Sequence, residues 1–213
     1  MDGLQHLYAA PPGLALGTVT DVNDPHRRGR VKVRLAATGV EVWAPCVVAS
    51  AGPDRGVALL PKTAEIVMVA FLTPDQPFVL GSVWSGQNSQ PDEAAPVDER
   101  YAIKTAAKTV MLFDDAGPSF SVTTANKNAI ALTDAGDKCT ITVGATTVEA
   151  TASGVSVTTS GSIALKARAL TVDAATVTVN AGMSKFSGVV QCDTMIANAV
   201  VGTSYTPGAG NIW

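Results

Sequence analysis

The sequence predicts an all-β protein in two parts, a small N-terminal barrel of five strands and a C-terminal stack of very short strands. Three observations carry this. Between Leu14 and Trp84 five segments alternate apolar and polar residues, separated by turn-forming clusters. From Ser119 to Asn180 apolar residues recur as isolated i, i+2 pairs, the spacing that puts both side chains on one face of a strand. The composition fits: 46% of the 213 residues are hydrophobic, only 5% aromatic and 15% charged, so Ala and Val carry most of the apolar content. Narrow stacked strands use small β-branched side chains, whereas a large globular core needs bigger ones.

Residues 1–13 read as a short arm ending in Pro11, Pro12 and Gly13. The next region, 14–86, contains the candidate strands 14–22, 29–36, 40–48, 65–72 and 78–84. Asn23-Asp24-Pro25, Gly52-Pro53-Asp54, Pro61 and Pro74-Asp75-Gln76-Pro77 punctuate them. Five strands in about seventy residues suggest a closed barrel, for which the OB fold is the commonest solution. The larger side chains Trp43, Phe71, Phe78 and Trp84 fall here and are expected to fill its core. Residues 87–99 are polar, contain Pro and lack periodicity, the composition of a linker.

From residue 100 to 213 the expectation is a β-helical rod. Arg100–Asp115 reads as strand, turn, strand; Ala and Lys across Ala102–Leu112 would also suit a helix, but the Thr and Val content favours β. The pairs Ile130/Leu132, Ile141/Val143, Val155/Val157, Ile163/Leu165, Leu170/Val172 and Val177/Val179 follow. From Ile141 onward they recur roughly every seven or eight residues, a repeat architecture. Beyond Asn180 the spacing turns irregular through Phe186, Val189/Val190 and Met195/Ile196.

Each unit offers too few core side chains to stabilise a lone strand, so the units must stack. A one-chain solenoid is allowed by length, but the repeat frame is loose and the large inward residues that fill such an interior are missing. Three chains, each supplying one face, close the pairing without exposed edges, which favours an intertwined trimeric β-helix needle.

Charge and cysteine content count against several classes. A formal net charge of −3 gives no broad footprint for nucleic acid, and the basic cluster of His26, Arg27, Arg28, Arg30, Lys32 and Arg34 is partly an alternating strand whose charges would face solvent. Cys46, Cys139 and Cys192 are odd in number and far apart, with neither disulfide nor zinc spacing; Cys139 and Cys192 sit at strand-like positions as small apolar fillers. The first residues lack a secretory signal pattern, and no apolar run approaches membrane-spanning length, so assembly in a cytoplasm is expected.

Catalysis finds no foothold. Asp114-Asp115 could serve acid/base work or calcium, but Gly117-Pro118 beside them points to a turn, as does Gly136 between Asp134 and Asp137. No nucleophile triad, P-loop or dinucleotide fingerprint is present. No enzyme activity, cofactor or metal is expected.

The N-terminal region resembles the OB domain of baseplate spike proteins, the central spikes of contractile phage tails, tailocins, type VI secretion and extracellular injection systems. The matching residues are Gly17, Val19, Asp24-Pro25, the run Gly29–Arg34, Trp43, Ala51-Gly52, Gly56, Leu60-Pro61, Phe71 and the run Asp75–Val83. Arg100, Lys104-Thr105 and Leu112–Asp115 are similar to the entry into the needle of that family, and 205–213 to the ends of injection-system spikes. One departure is Ala64-Glu65, where the family often has a Gly-acidic pair. The linker is too short for the lysozyme domain some spikes insert, and neither His6 nor His26 lies near the C-terminus to form an apical metal motif.

The resemblance implies a non-enzymatic homotrimeric spike within a phage-tail-like particle, joining the hub at the base of the tube to a separate small conical tip protein and meeting a target membrane when it punctures. Tyr205, Pro207, Asn211, Ile212 and Trp213 are the candidate tip-docking residues, since an aromatic end on an aromatic-poor rod must be covered by the trimer or by a partner. Two other classes stay open: a single-stranded nucleic-acid binder using the RRGRVKVR strand, and a β-solenoid acting on polysaccharide.

Overall fold

The computed structural model of the chain describes residues 13–87 and 89–204. Two compact units are distinguished, Met1–Ile163 and Ala164–Trp213. The first holds every assigned strand.

Alternation builds the barrel. β1 (Leu14–Asp21), β2 (Arg30–Leu35) and β3 (Glu41–Pro45) form an antiparallel meander. A two-residue hairpin, β4 (Ala51–Gly52) with β5 (Arg55–Gly56), precedes β6 (Ile66–Phe71) and β7 (Pro77–Val83). The sheet order is β3-β2-β1-β6-β7. A parallel bridge from Cys46 to Val79, with the Val47 N–H donating to the Val79 carbonyl at 2.8 Å, brings β7 back to the end of β3. This curled five-stranded sheet is OB-like. The five strands match the expected ones to within a few residues, and β4–β5 is an addition.

The core differs from expectation. It consists of Val19, Val31, Val33, Leu35, Ala44, Val67, Val69 and Val79, with Phe71 only packed against its edge. Trp84 is 67% exposed, and Trp43 lies half-buried on the outer side of the sheet. The physical reason is width. Five tightly curled strands enclose a lumen that β-branched side chains already fill, which leaves the indoles outside. Gly17 shows how tight the fit is: a Cβ there would collide with the Val33 side chain and lie 2.8 Å from the Arg34 carbonyl oxygen.

The polar stretch that follows contains a 3-10 turn, Asp92–Ala94. A seven-stranded antiparallel meander then runs strictly in sequence order: β8 (Arg100–Lys104), β9 (Val110–Asp114), β10 (Ser119–Thr123), β11 (Ala129–Thr133), β12 (Lys138–Val143), β13 (Thr146–Thr151) and β14 (Gly154–Thr158). The strand-turn-strand reading of Arg100–Asp115 holds, and Ile130/Leu132, Ile141/Val143 and Val155/Val157 lie on β11, β12 and β14.

The later pairs behave differently. From Ser160 to Ser204 every described residue is exposed and none belongs to a strand. Leu165, Leu170, Val172, Val177 and Val179 are 63–74% exposed, and Cys192, expected as a strand filler, is exposed as well. The i, i+2 pattern is present there, but one copy of the chain provides no ladder for it.

Candidate assembly surfaces

Register turns the meander into two chemically distinct faces. Along one row the partners are Tyr101, Phe113, Phe120, Leu132, Cys139, Ala150 and Val155. A parallel row holds Ile103, Met111, Val122, Ile130, Ile141, Val148 and Val157. Every member is apolar. Residues of the opposite parity, such as Lys104, Ser121, Thr133, Thr140, Glu149 and Ser156, make the other face largely polar. The first row tapers, from three aromatics at one end to Cys, Ala and Val at the other. Phe113 and Phe120 pack with ring centroids 4.9 Å apart.

Exposure on this sheet is inverted. In β11, Ile130 and Leu132 are each 50% exposed, while Ala129, Ala131 and Thr133 on the other face are half-buried. Tyr101 is 62% exposed and Val155 74%. A contiguous apolar face of this extent marks an interaction surface.

The barrel's basic strand is neutralised within the chain. Arg30 Nη2 lies 2.6 Å from Asp24 Oδ1, Arg34 Nη2 lies 2.8 Å from Glu41, and Lys32 Nζ is 3.7 Å from the same carboxylate. Trp43 sits under two of these cations, with Arg30 5.6 Å and Lys32 5.7 Å from its ring. Asp24 anchors the whole loop: its carboxylate also accepts from the His26 N–H at 3.0 Å and the Arg28 N–H at 2.6 Å. The Arg30 side chain, assisted by these backbone donors, holds the Asp24 carboxyl well below the usual carboxylate range. The Arg34 guanidinium likewise lowers Glu41. His26 is exposed on that loop. Arg27, Arg28 and Arg55 border a recess of about 440 Å³ that also meets Cys46, whose thiol is pushed up by burial.

Asp114 is a turn residue. Oδ1 accepts from the Ala116 N–H at 3.1 Å and the Gly117 N–H at 3.2 Å, while Oδ2 takes the Arg100 Nε at 2.8 Å. These contacts, the Gly117 N–H first, lower its pKa. Asp115 makes no such cluster and is exposed. Among the described residues, no group of three or more His, Cys, Asp or Glu is placed to hold a metal, and no helix is long and apolar enough to cross a membrane. Tyr205, Pro207, Asn211, Ile212 and Trp213 lie outside the described residues.

Two features were not read from the sequence: the continuity of the apolar rows across all seven strands, and the left-handed backbone of Ala64. Ala64 has φ +74°, its N–H donates to the Val19 carbonyl at 2.8 Å, and it adjoins the register shift between Val19 and Asp21. The Gly-acidic pair expected at this point was the available signal, because glycine takes that conformation freely.

A search of curated proteins gave no match to the chain. Residues 15–84 match the family model described as the Type VI secretion system/phage-baseplate injector OB domain. The match spans β1 to β7 and ends at Trp84, so it covers the curled sheet, its Val core and the Asp24 loop. The likeness to this family therefore rests on residues 15–84, about a third of the 213-residue chain.

Proposed function

We propose that the chain is the central spike of a contractile, phage-tail-like injection system, a structural homotrimer with the OB domains at its base and a needle made by residues 100–213. The single observation that carries the reading is the uncovered apolar face of β8–β14, on a chain that begins with an injector OB domain. A face with half-exposed Phe113, Ile130, Leu132 and Ile141 is stabilised only when covered. Two further copies cover it by symmetry, each presenting the same rows.

The unpaired segment 160–204 fits this reading. Its alternation is that of strands, its backbone has no ladder partners within the described chain, and neighbouring copies would supply them. Continuous pairing among three chains resists bending and unfolding, so force from sheath contraction is delivered to a narrow tip that breaches the target envelope. The hub of the tube would engage the OB base, and a small conical tip protein the C-terminal end through Tyr205, Pro207, Asn211, Ile212 and Trp213. No catalytic step, cofactor or metal enters this mechanism.

Nucleic-acid binding through the OB domain is less well supported. Arg30, Lys32 and Arg34 are already engaged by Asp24 and Glu41, and Trp43 is stacked beneath them rather than free for bases. Electron microscopy of contractile particles from the producing cell, with this chain labelled, tests the reading. Label at the centre of the baseplate is expected; label along the sheath, or particles without the protein, would overturn it.

A further inference from the structure

The turns of the meander segregate charge by edge. Turns β8–β9, β10–β11 and β12–β13 lie along one edge of the sheet, and turns β9–β10, β11–β12 and β13–β14 along the other. The first edge carries Lys108 and Lys127, both exposed, and no acidic residue within its turns. The second carries Asp115, Asp134 and Asp137, also exposed, and no basic residue within its turns. Among the described residues these five take no part in the ion pairs of the sheet, which join Arg100 to Asp114, Lys104 to Glu93 and Lys138 to Glu149; Glu93, from the preceding 3-10 turn, lies beside the first edge and feels the charge of Lys127. Lys108 and Lys127 occupy equivalent places in two like turns, at φ 61° and 64°.

We infer that Lys108 and Lys127 of one copy pair with Asp115, Asp134 and Asp137 of the next, and that these edge contacts fix the polarity and register of the assembled copies. The inference rests on the trimeric reading above and adds what selects the arrangement. When copies are related by rotation about the ladder direction, with apolar faces inward, opposite edges meet and each strand lies level with its counterpart. Turns on one edge are two strands apart, and the two edges are out of phase by one strand, about 4.8 Å. Lys127 is then level with the gap between the neighbour's Asp115 turn and its Asp134–Asp137 turn, within reach of a lysine side chain from either. If a copy were inverted, like edges would meet, lysine against lysine and aspartate against aspartate. Hydrophobicity alone tolerates either polarity, since both rows are apolar along their whole length. The turn charges do not.

The test uses the full chain. The variants K108D/K127D and D115K/D134K each make both edges alike in net sign, Asp137 staying on the second edge, and the four substitutions together restore complementarity with the net signs exchanged. Native mass spectrometry at low salt should show assembly weakened roughly tenfold or more in each double variant, partial recovery in high salt, and recovery in the quadruple variant. Should a double variant fail to fold, zero-length carbodiimide cross-linking of a mixture of isotopically light and heavy wild-type chains gives an independent reading. Mixed-isotope links from Lys127 to Asp115 or Asp134 are expected. A wild-type trimer whose double variants assemble unchanged, or whose Lys127 links only within its own chain, would overturn the edge pairing while leaving the trimer standing. A wild-type chain that does not trimerise would overturn both.

Discussion

Placing a carboxylate at Ile130 tests the apolar face where its energetics are simplest. Ile130 lies in the middle of its row between Val122 and Ile141 and is 50% exposed in the single chain. Full burial of such a side chain contributes about 1.5–3 kcal/mol, so half of it is about 1 kcal/mol. In an isolated chain, I130E therefore costs about 1 kcal/mol of packing, because the charge can remain in water. In an assembly that covers the face, each copy loses a further ~1 kcal/mol and must also desolvate a carboxylate, at several kcal/mol per ion. Over three copies the penalty is roughly 12 kcal/mol or more, upward of about eight decades in the association constant at ~1.4 kcal/mol per decade. The milder I130A should lose only the packing part, about 3 kcal/mol per trimer and roughly two decades. Sedimentation equilibrium over a concentration series measures all three proteins. T140K, on the polar face opposite Ala131 and Glu149, is the control and should assemble like wild type. If I130E assembles as well as wild type, or T140K is equally damaging, the apolar face is not the buried surface and the reasoning fails.

Three further outcomes follow from the barrel. A64G should raise its stability by up to about 1 kcal/mol in thermal unfolding, because a non-glycine residue at φ +74° is strained and glycine is not; a loss of stability would contradict this. G17A should destabilise by about 2 kcal/mol or more, because its methyl meets Val33 and the Arg34 carbonyl; wild-type melting would show that the β1–β2 crossing yields. For Asp24 the folded pKa lies below the ordinary value of 3.8, so its contribution is fully present above that pH and is lost as pH falls through the window beneath it. D24N should therefore lower the melting temperature at neutral pH and shrink the gap to wild type in strong acid; a pH-independent gap would exclude this linkage.

Much of the fold was legible because alternation is a local property. Each strand of the barrel carries its own period-two signal, and Pro and Gly mark the breaks, so five strands could be placed from the chain alone. The hairpin Ala51–Gly56 was not, since two-residue strands have no period to read. The core was misjudged for a related reason: side-chain size says what could be buried, while the lumen width that favours Val31, Val33, Val67 and Val69 over Trp43 and Trp84 is a property of closure.

In the meander the sequence showed apolar pairs but not their register, and it is register that joins them into two unbroken rows. The alternation of charge was written in the turns, TAAKT and TANKN against DAGP and DAGD, but it becomes an edge only when successive hairpins send alternate turns to opposite sides. The pairs from Ile163 to Val179 mark the limit of single-chain logic. Their pattern is that of strands, and the described residues of one chain hold no ladder partners for them.

In the proposed spike, one chain is a third of the functional object. Sedimentation equilibrium or native mass spectrometry of the full 213-residue protein near neutral pH tests it most directly. A single species of three chains is expected, with residues 160–204 protected from hydrogen exchange within it. A stable monomer whose residues 160–204 exchange as freely as an open chain would contradict it.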